Sequence, residues 1–440
     1  LNPYEDNNNY DNQFPYSQPP GPNDYPAQPP KRNGGGFWLG LLLGVIITCL
    51  IGSGTFVGLR VAQLVKANRA QQASADAGGA ESVINDESIA KVEAIEEVID
   101  KYYYKDEDID KDAMIEGMYS GIVASLGDPY SVYYTAEEWE SLMEDTEGIY
   151  YGIGAYLSLD EATGLAKISG VIADTPAEEA GLRENDIIYQ VDGESIQGLE
   201  LSEIVTKVKG KEGTTVHLTI IRDGETDYLE LDVERRQIET PTVTYEMYDN
   251  EIGYIQIKEF DEVTTDQFIE ALDAVKAADA KGLILDLRGN PGGSLPVVVE
   301  IARNILPEGR IVYTEDKYGE QEEYTCDGKN ELQIPLVVLV NGNSASASEI
   351  LAGAIKDYNK GTLIGTTTFG KGIVQRVLPL TDGTAMKLTI SAYYTPNGNN
   401  IHGIGIEPDI ECELDTEAYY EEGTDNQLER ALEEMKSMIK

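Results

Sequence analysis

Two short stretches hold the residue types that could carry covalent or acid–base chemistry: NGNSASASE at 341–349 and GTTTFGKG at 365–372. In the second, Gly365, Gly370 and Lys371 fit the G-x-x-x-x-G-K of a phosphate-binding loop, but Gly372 stands where a hydroxyl should coordinate Mg²⁺. A phosphate loop must also run into a helix whose N-terminus meets the anion, whereas GIVQRVLPL after Lys371 alternates as a strand and carries Pro379. The nucleotide reading fails on that context. On a strand, Lys371, Ile373 and Gln375 point to one side, so a lysine and a glutamine can serve one site. A lysine base must be neutral. Its pKa then has to fall from about 10.4 towards about 7, roughly 4–5 kcal/mol against the ammonium, supplied mainly by burial. The competing reading is a solvated lysine in a glycine turn.

In the first stretch, Leu336 to Val340 form an apolar strand and Asn341 to Asn343 a turn. A helix follows with Ile350, Leu351, Ala354, Ile355 and Tyr358 on one face. Ser346 therefore lies at a strand-to-helix corner, where unpaired N–H groups favour developing negative charge. Ser346-Ala347-Ser348-Glu349 also matches S-x-x-E, the capping box, so the same serine reads as a helix cap. The small residues Gly342, Ala345 and Ala347 suit a carbonyl approaching the hydroxyl, which a cap alone does not need. His217, in the strand pattern TTVHLTIIRDG, and His402 are the only imidazoles. A hydrolase built here need not use histidine as its base. Cys49, Cys326 and Cys412 are scattered, with no zinc spacing, so a dedicated metal site is not expected.

The elements around these stretches alternate: EIGYIQIKEF as a strand, TTDQFIEALDAVKAAD as a helix, and GLILDLRGNPGGS as a buried strand entering a glycine turn. This argues an α/β core over 237–412. Residues 148–236 hold five short alternating runs and one helical insert, LELSEIVTKVKG, which predict a small β-rich domain. With Gly152-Ile153-Gly154-Ala155 at its first strand and TPAEEAGLRENDIIYQVDGESIQG after it, this segment resembles a PDZ domain. Backbone N–H groups of such a glycine loop can hold a terminal carboxylate, and the adjoining strand can pair with an extended peptide. Leu201, Val205 and Val208 share a helix face and either line the apolar pocket or form the domain's core.

A formal net charge of −46 repels phosphate backbones and makes general nucleic-acid binding improbable. Residues 1–36, rich in Pro, Tyr, Asn and Gly, are expected to be a disordered tail. Phe37 to Leu59 is an uncharged run of 23 residues, long enough to cross a bilayer core of about 30 Å as one helix. Its length and the polar tail before it argue for an anchor over a cleaved signal peptide. Lysines and arginines flank both ends, so charge does not set its orientation. Residues 60–84 suit a linker, and 85–147 an N-terminal helical region with a stripe of Ile89, Val92, Ile95, Ile99 and Tyr102. QLERALEEMKSMIK within 413–440 is a candidate C-terminal association helix, or one that packs on its own core.

LDLRGNPGG (285–293), NGNSASASEILAGAIKD (341–357), GTTTFGKGIVQ (365–375) and GIGIEPDI (403–410), in this order after a PDZ-like segment, resemble the carboxyl-terminal processing proteases. The resemblance implies an α/β core of the ClpP/crotonase type with an inserted PDZ domain, and a serine endopeptidase working through an acyl-enzyme without a cofactor. It makes Ser346 the nucleophile, Lys371, 25 positions downstream, the general base, and Gln375 the residue that orients the lysine. Ala347 N–H and a glycine of the GNPGG turn, Gly293, would form the oxyanion hole. It further implies flexible protein C-termini as substrates, a homodimer built through terminal segments, and a catalytic domain outside the cytoplasmic membrane. The alternative is a catalytically inactive, membrane-tethered PDZ scaffold, which would share every feature except activity.

Overall fold

The computed structural model describes residues 82–439, apart from 106–108, 161–162 and 250. The run 37–59 and the tail before it lie outside the described residues; among those described, no helix is long and apolar enough to cross a membrane. The chain divides into two units, Leu1–Gly117 and Met118–Lys440. In the first, α1 (Asp86–Tyr102) begins at Asn85, whose side chain accepts the N–H groups of Glu87 and Ser88. Its predicted apolar stripe forms, and Ile89, Val92, Ile95 and Val98 on this helix remain between 45% and 56% exposed. Helix α2 (Lys111–Ala124) carries the chain into the second unit.

There the chain forms β1 (Val132–Tyr134) and α3 (Ala136–Glu147), then β2 (Ile149–Gly152), which leads into the β-rich module. The module comprises β3 (Ala155–Leu159), β4 (Ala166–Val171), the short α4 (Pro176–Glu179), β5 (Ile187–Val191) and β6 (Glu194–Ser195). It continues with α5 (Leu201–Val208), β7 (Thr215–Ile221) and β8 (Leu229–Glu234). The sheet order is β3-β4-β5-β7-β8, with β6 on β5, matching the five predicted runs. Ile168, Ile188, Ile204, Val216, Leu218 and Ile220 are fully buried between sheet and helix. The chain leaves through β9 (Arg236–Glu239), antiparallel to β2, so one two-stranded ribbon carries the module's entry and exit.

At the root of that ribbon a Cβ on Gly148 would stand 3.1 Å from the Asp261 Cβ. Asp261 is 6% exposed. Burial, then the carboxylates of Glu259 and Asp145, push its carboxyl up to about 7. The unfolded chain gives up this proton near pH 4 and the folded one near 7, so stability falls as pH rises through that window. Asp261→Asn is expected to remove this dependence and to exceed the wild type by on the order of 1–3 kcal/mol at pH 8. Urea unfolding at pH 4.5 and 8 checks it; equal pH slopes in both proteins would refute it.

The core contains β10 (Val243–Tyr248), β11 (Ile252–Ile257), α6 (Thr264–Ala277), β12 (Gly282–Asp286) and α7 (Leu295–Ala302). It continues through β13 (Gly309–Asp316), β14 (Gln321–Cys326), β15 (Leu336–Val340), α8 (Ala347–Asp357) and β16 (Thr362–Gly365). After these come β17 (Ile373–Pro379), β18 (Ala385–Tyr394), β19 (Ile410–Glu411), a π-helical turn (Ala418–Glu422) and α9 (Asn426–Met438). One sheet runs β10-β11-β12-β15-β16-β19, parallel from β11 to β19. GLILD in β12 and LVVLV in β15 are buried at every position, as central parallel strands covered on both faces require. Leu283, Leu285, Val338 and Val340 face α6, α7 and α8, while Ile284, Val337 and Leu339 face Ala431 and Met435 of α9.

That packing answers the question left open for the C-terminal helix. Leu428, Leu432, Met435 and Ile439 cover the chain's own sheet, and the Met435 sulfur lies where a Cβ on Gly282 would be. A second, antiparallel sheet, β1-β18-β13-β14 with β17 along the other side of β18, was not legible from the sequence. Because β1 precedes the β-rich module and pairs with β18 after it, Val132 opposite Lys387, that module is an insertion between two parts of one core. Cys326 and Cys412 are free thiols.

Candidate active site

The strand β15 ends at Val340, and Ser344 closes the following turn by accepting the Asn341 N–H at 2.9 Å and donating to the Leu287 carbonyl at 2.8 Å. Ser346 then adopts φ 53°, ψ −111°, a left-handed conformation unusual for a residue with a side chain. The backbone that imposes it is held from three sides. Asn290, fully buried, accepts the Ala345 N–H at 3.0 Å and the Ser348 hydroxyl at 3.1 Å through its carbonyl. The Tyr393 hydroxyl donates to the Ser346 carbonyl at 3.1 Å. The Glu349 carboxylate accepts the Ser346 N–H at 3.0 Å.

Only that last half of the expected capping box is a full hydrogen bond. The Glu349 N–H goes to the Ser346 carbonyl at 2.9 Å, and Oγ makes no cap hydrogen bond. Half-buried and uncommitted to the helix, this hydroxyl is placed as a nucleophile would be. Ser344 and Ser348, by contrast, are fully buried and engaged in structural hydrogen bonds.

Gly292 packs directly beneath it. A Cβ there would come 2.7 Å from the Ser346 Cβ and 3.0 Å from the Ala347 nitrogen. The Gly292 N–H is taken by the Asn290 side chain at 2.8 Å and its carbonyl by the Phe260 N–H at 2.8 Å. No hydrogen bond is donated by Gly293 N–H or Ala347 N–H among the described residues. The glycine that touches the serine is thus Gly292, while the two uncommitted donors are the pair expected from sequence.

Lys371 lies in the turn Gly370–Gly372 ahead of β17, not on the strand, and β17 is no helix, so no phosphate loop forms. Its backbone N–H donates to Glu349 Oε2 at 2.8 Å, the Gly370 N–H to Oε1 at 2.7 Å, and the Thr368 hydroxyl to Oε1 at 2.6 Å. One buried carboxylate therefore ties the lysine turn to the serine corner. Burial, then the Lys387 ammonium, holds the Lys371 amine below the ordinary lysine range, against the opposing pull of Glu349 and Asp128. Its Nζ lies 4.9 Å from the centroid of the Tyr130 ring.

Lys371 precedes β17 rather than standing on it, so strand alternation does not relate it to Gln375. Among the described residues the Gln375 amide donates to the Thr389 hydroxyl at 3.1 Å, opposite a register shift whose extra residue, Ile390, lies in β18. Asp128, Tyr130, Ser131, Asn290, Thr368 and Tyr393, all missed as site residues, stand around the serine and lysine. The only sequence signal at the first three was a turn at Gly127-Asp128-Pro129.

In the β-rich module, Gly154 has φ 85° and its absent Cβ would collide with Thr175 at 2.3 Å. Ile153 and Gly154 donate no backbone N–H to a backbone acceptor among the described residues, so two donors at this loop are open. Ile153 and Val208 belong to the module's core, at 3% and 4% exposure. Leu201 and Val205 are half-buried, with Gly152 and Ala155 at the adjoining strand ends. Of the three predicted helix residues, only Val208 is buried, and Leu201 and Val205 keep partial exposure.

Residues 251–412 match the family model of peptidase family S41, residues 167–222 that of a PDZ domain, and residues 48–138 that of the N-terminal domain of the activating protease CtpB. The chain is 38% identical over 322 residues to the carboxy-terminal processing protease CtpA of Bacillus subtilis, covering 73% of this chain and 68% of that protein. It is 34% identical over 363 residues to CtpB of the same organism, covering 82% and 74%. A carboxyl-terminal-processing protease of Synechocystis is 38% identical over 292 residues, covering 66% and 68%.

Proposed function

Because the chain belongs to peptidase family S41, as a carboxyl-terminal processing serine protease with an inserted PDZ domain, we propose that Ser346 and Lys371 form its catalytic dyad. The neutral Lys371 amine takes the proton of Ser346 Oγ as that oxygen bonds to the carbonyl carbon of a peptide. The carbon–nitrogen bond then breaks, the lysine returns the proton to the leaving amine, and water hydrolyses the acyl ester. Gly293 N–H and Ala347 N–H receive the oxyanion, each donor worth about 2.7–4 kcal/mol. Gln375 serves the site through Thr389. The observation that carries this reading is the common anchoring of the serine corner and the lysine turn on Glu349.

Substrate reaches the dyad as an extended chain. Among the described residues strand β17 has a neighbour on one side only, so a peptide can pair along its open edge beside Lys371. The free C-terminus docks on the PDZ loop at Ile153 and Gly154, with an apolar residue against Leu201 and Val205. The same unstructured protein offered with a free and with an amidated apolar C-terminus tests this. The free form is expected to have a KM lower by about 10- to 100-fold, the worth of hydrogen bonds to one charged carboxylate, with kcat unchanged. Equal cleavage of both would remove the docking role. We further propose that Phe37–Leu59 anchors the enzyme with residues 60–440 outside the cytoplasmic membrane and that it acts as a homodimer. Reporter fusions at each end and the mass of the detergent-solubilised protein decide these.

A further inference from the structure

Lys371 has an unassigned neighbour. Its Nζ stands over the Tyr130 ring at 4.9 Å and makes no ion pair among the described residues. Burial pushes the Tyr130 hydroxyl above its ordinary value, so this ring is neutral and presents its negative face to the ammonium.

The turn that carries the ring is built to hold it there. Asp128 accepts the Tyr130 N–H at 3.0 Å through Oδ1 and the Ser131 hydroxyl at 2.6 Å through Oδ2. Ser131 Oγ in turn accepts the Thr389 N–H at 3.1 Å, and Thr389 Oγ1 accepts the Gln375 amide at 3.1 Å. Strand β1, immediately after the turn, pairs with Ala385–Lys387 of β18, which fixes the turn to the sheet that bears Gln375. Residues 128–131 thus touch both Lys371 and the support of Gln375.

We propose that Tyr130 is a positioning residue for Lys371, its ring face holding the protonated side chain beside the site between turnovers, and that the Asp128–Ser131 turn is a structural part of the active site. The proposal rests on Lys371 being the base. A ring face attracts the ammonium and not the amine, so Tyr130 makes the lysine harder to deprotonate. Other charges face the same amine: Glu349 from α8, Asp128 from the turn and Lys387 from β18, with His402 near Asp128. Removing the ring while keeping these isolates its effect.

The experiment uses the full chain carrying Ser346→Ala, labelled with ε-¹³C lysine and titrated by NMR, the Lys371 signal being assigned by its loss in Lys371→Met. Tyr130→Leu is expected to lower the titration midpoint of Lys371 by about one pH unit, and Tyr130→Phe to leave it in place. In the active enzyme the acid limb of kcat/KM should move with it. An unchanged midpoint in Tyr130→Leu, or an equal shift in Tyr130→Phe, overturns the proposal. If Tyr130→Leu does not fold, Tyr130→Trp replaces it, since the stronger cation–π partner should raise the midpoint; no rise overturns the proposal equally. Residual proteolysis in Lys371→Ala would instead sink the dyad, and the NMR midpoint would still report on Tyr130.

Discussion

Ser346→Ala is expected to lower kcat/KM for protein cleavage by about 10⁴-fold or more, and Lys371→Ala by a similar factor, because members of one covalent machine fail together. Both variants should melt like the wild type. The Ser346 hydroxyl makes no cap hydrogen bond, and the contacts of the lysine turn with Glu349 run through the backbone, which alanine keeps. The neighbouring serines behave in the opposite way. Ser344→Ala removes a bond to the Leu287 carbonyl and an acceptor for the Asn341 N–H, so it should lower stability while sparing Ser346's reactivity towards a fluorophosphonate. Because burial lowers the Lys371 pKa, the activity of the wild type should climb with pH and level off below the ordinary lysine range. Proteolysis surviving in either alanine variant would count against the dyad, whereas a wild-type chain without proteolysis would return the inactive-scaffold reading.

The parts of this site that were legible are those fixed by local pattern. Strand, turn and helix around Ser346 follow from an apolar run, three turn residues and a 3.6-residue repeat, and all three form. The choice between cap and nucleophile was not local: it turns on Glu349 taking the Ser346 N–H while Oγ makes no cap hydrogen bond, which only the folded corner shows. Likewise the alternation after Lys371 predicted a strand correctly but not the register shift at Val374/Gln375, since a bulge is imposed by the partner strand β18. Tyr130 was invisible because β1 and β18 lie at opposite ends of the core's sequence, and only their pairing brings the 128–131 turn to the lysine.

Amphipathic helices show the same limit. The spacing in α5 identified an apolar face, yet Ile204 and Val208 sit in the core while Leu201 and Val205 stay half-buried. In α9 the face was plain, but which surface it covers is a property of the sheet: the residues of β12 and β15 that alternate away from α6–α8 need a cover, and α9 supplies it. A hydrophobic face predicts burial, and the partner must come from topology.

Glu349 is where the second large effect is expected. Its side chain is fully buried and accepts four hydrogen bonds, from the Ser346, Gly370 and Lys371 N–H groups and the Thr368 hydroxyl. Alanine would leave four donors without acceptors, two of them buried and two half-buried, at about 1–3 kcal/mol for each buried one and less for the others, so a loss on the order of 3–5 kcal/mol is expected. Glutamine is the sharper test. It keeps the volume, but its NH₂ must face two of the donors, whichever way the amide is turned. Electrostatics alone would then favour the variant: removing a negative charge beside Lys371 makes its neutral form easier to reach, so the acid limb should move down in pH. The geometry predicts the opposite in kcat. With the serine corner and the lysine turn no longer held on one carboxylate, kcat should fall by about 10²-fold, the order expected for a misplacement near 1 Å, while KM changes little. Urea melts separate the stability loss from the kinetic one, and a Glu349→Gln enzyme with wild-type kcat would show that the shared anchor does not position the dyad.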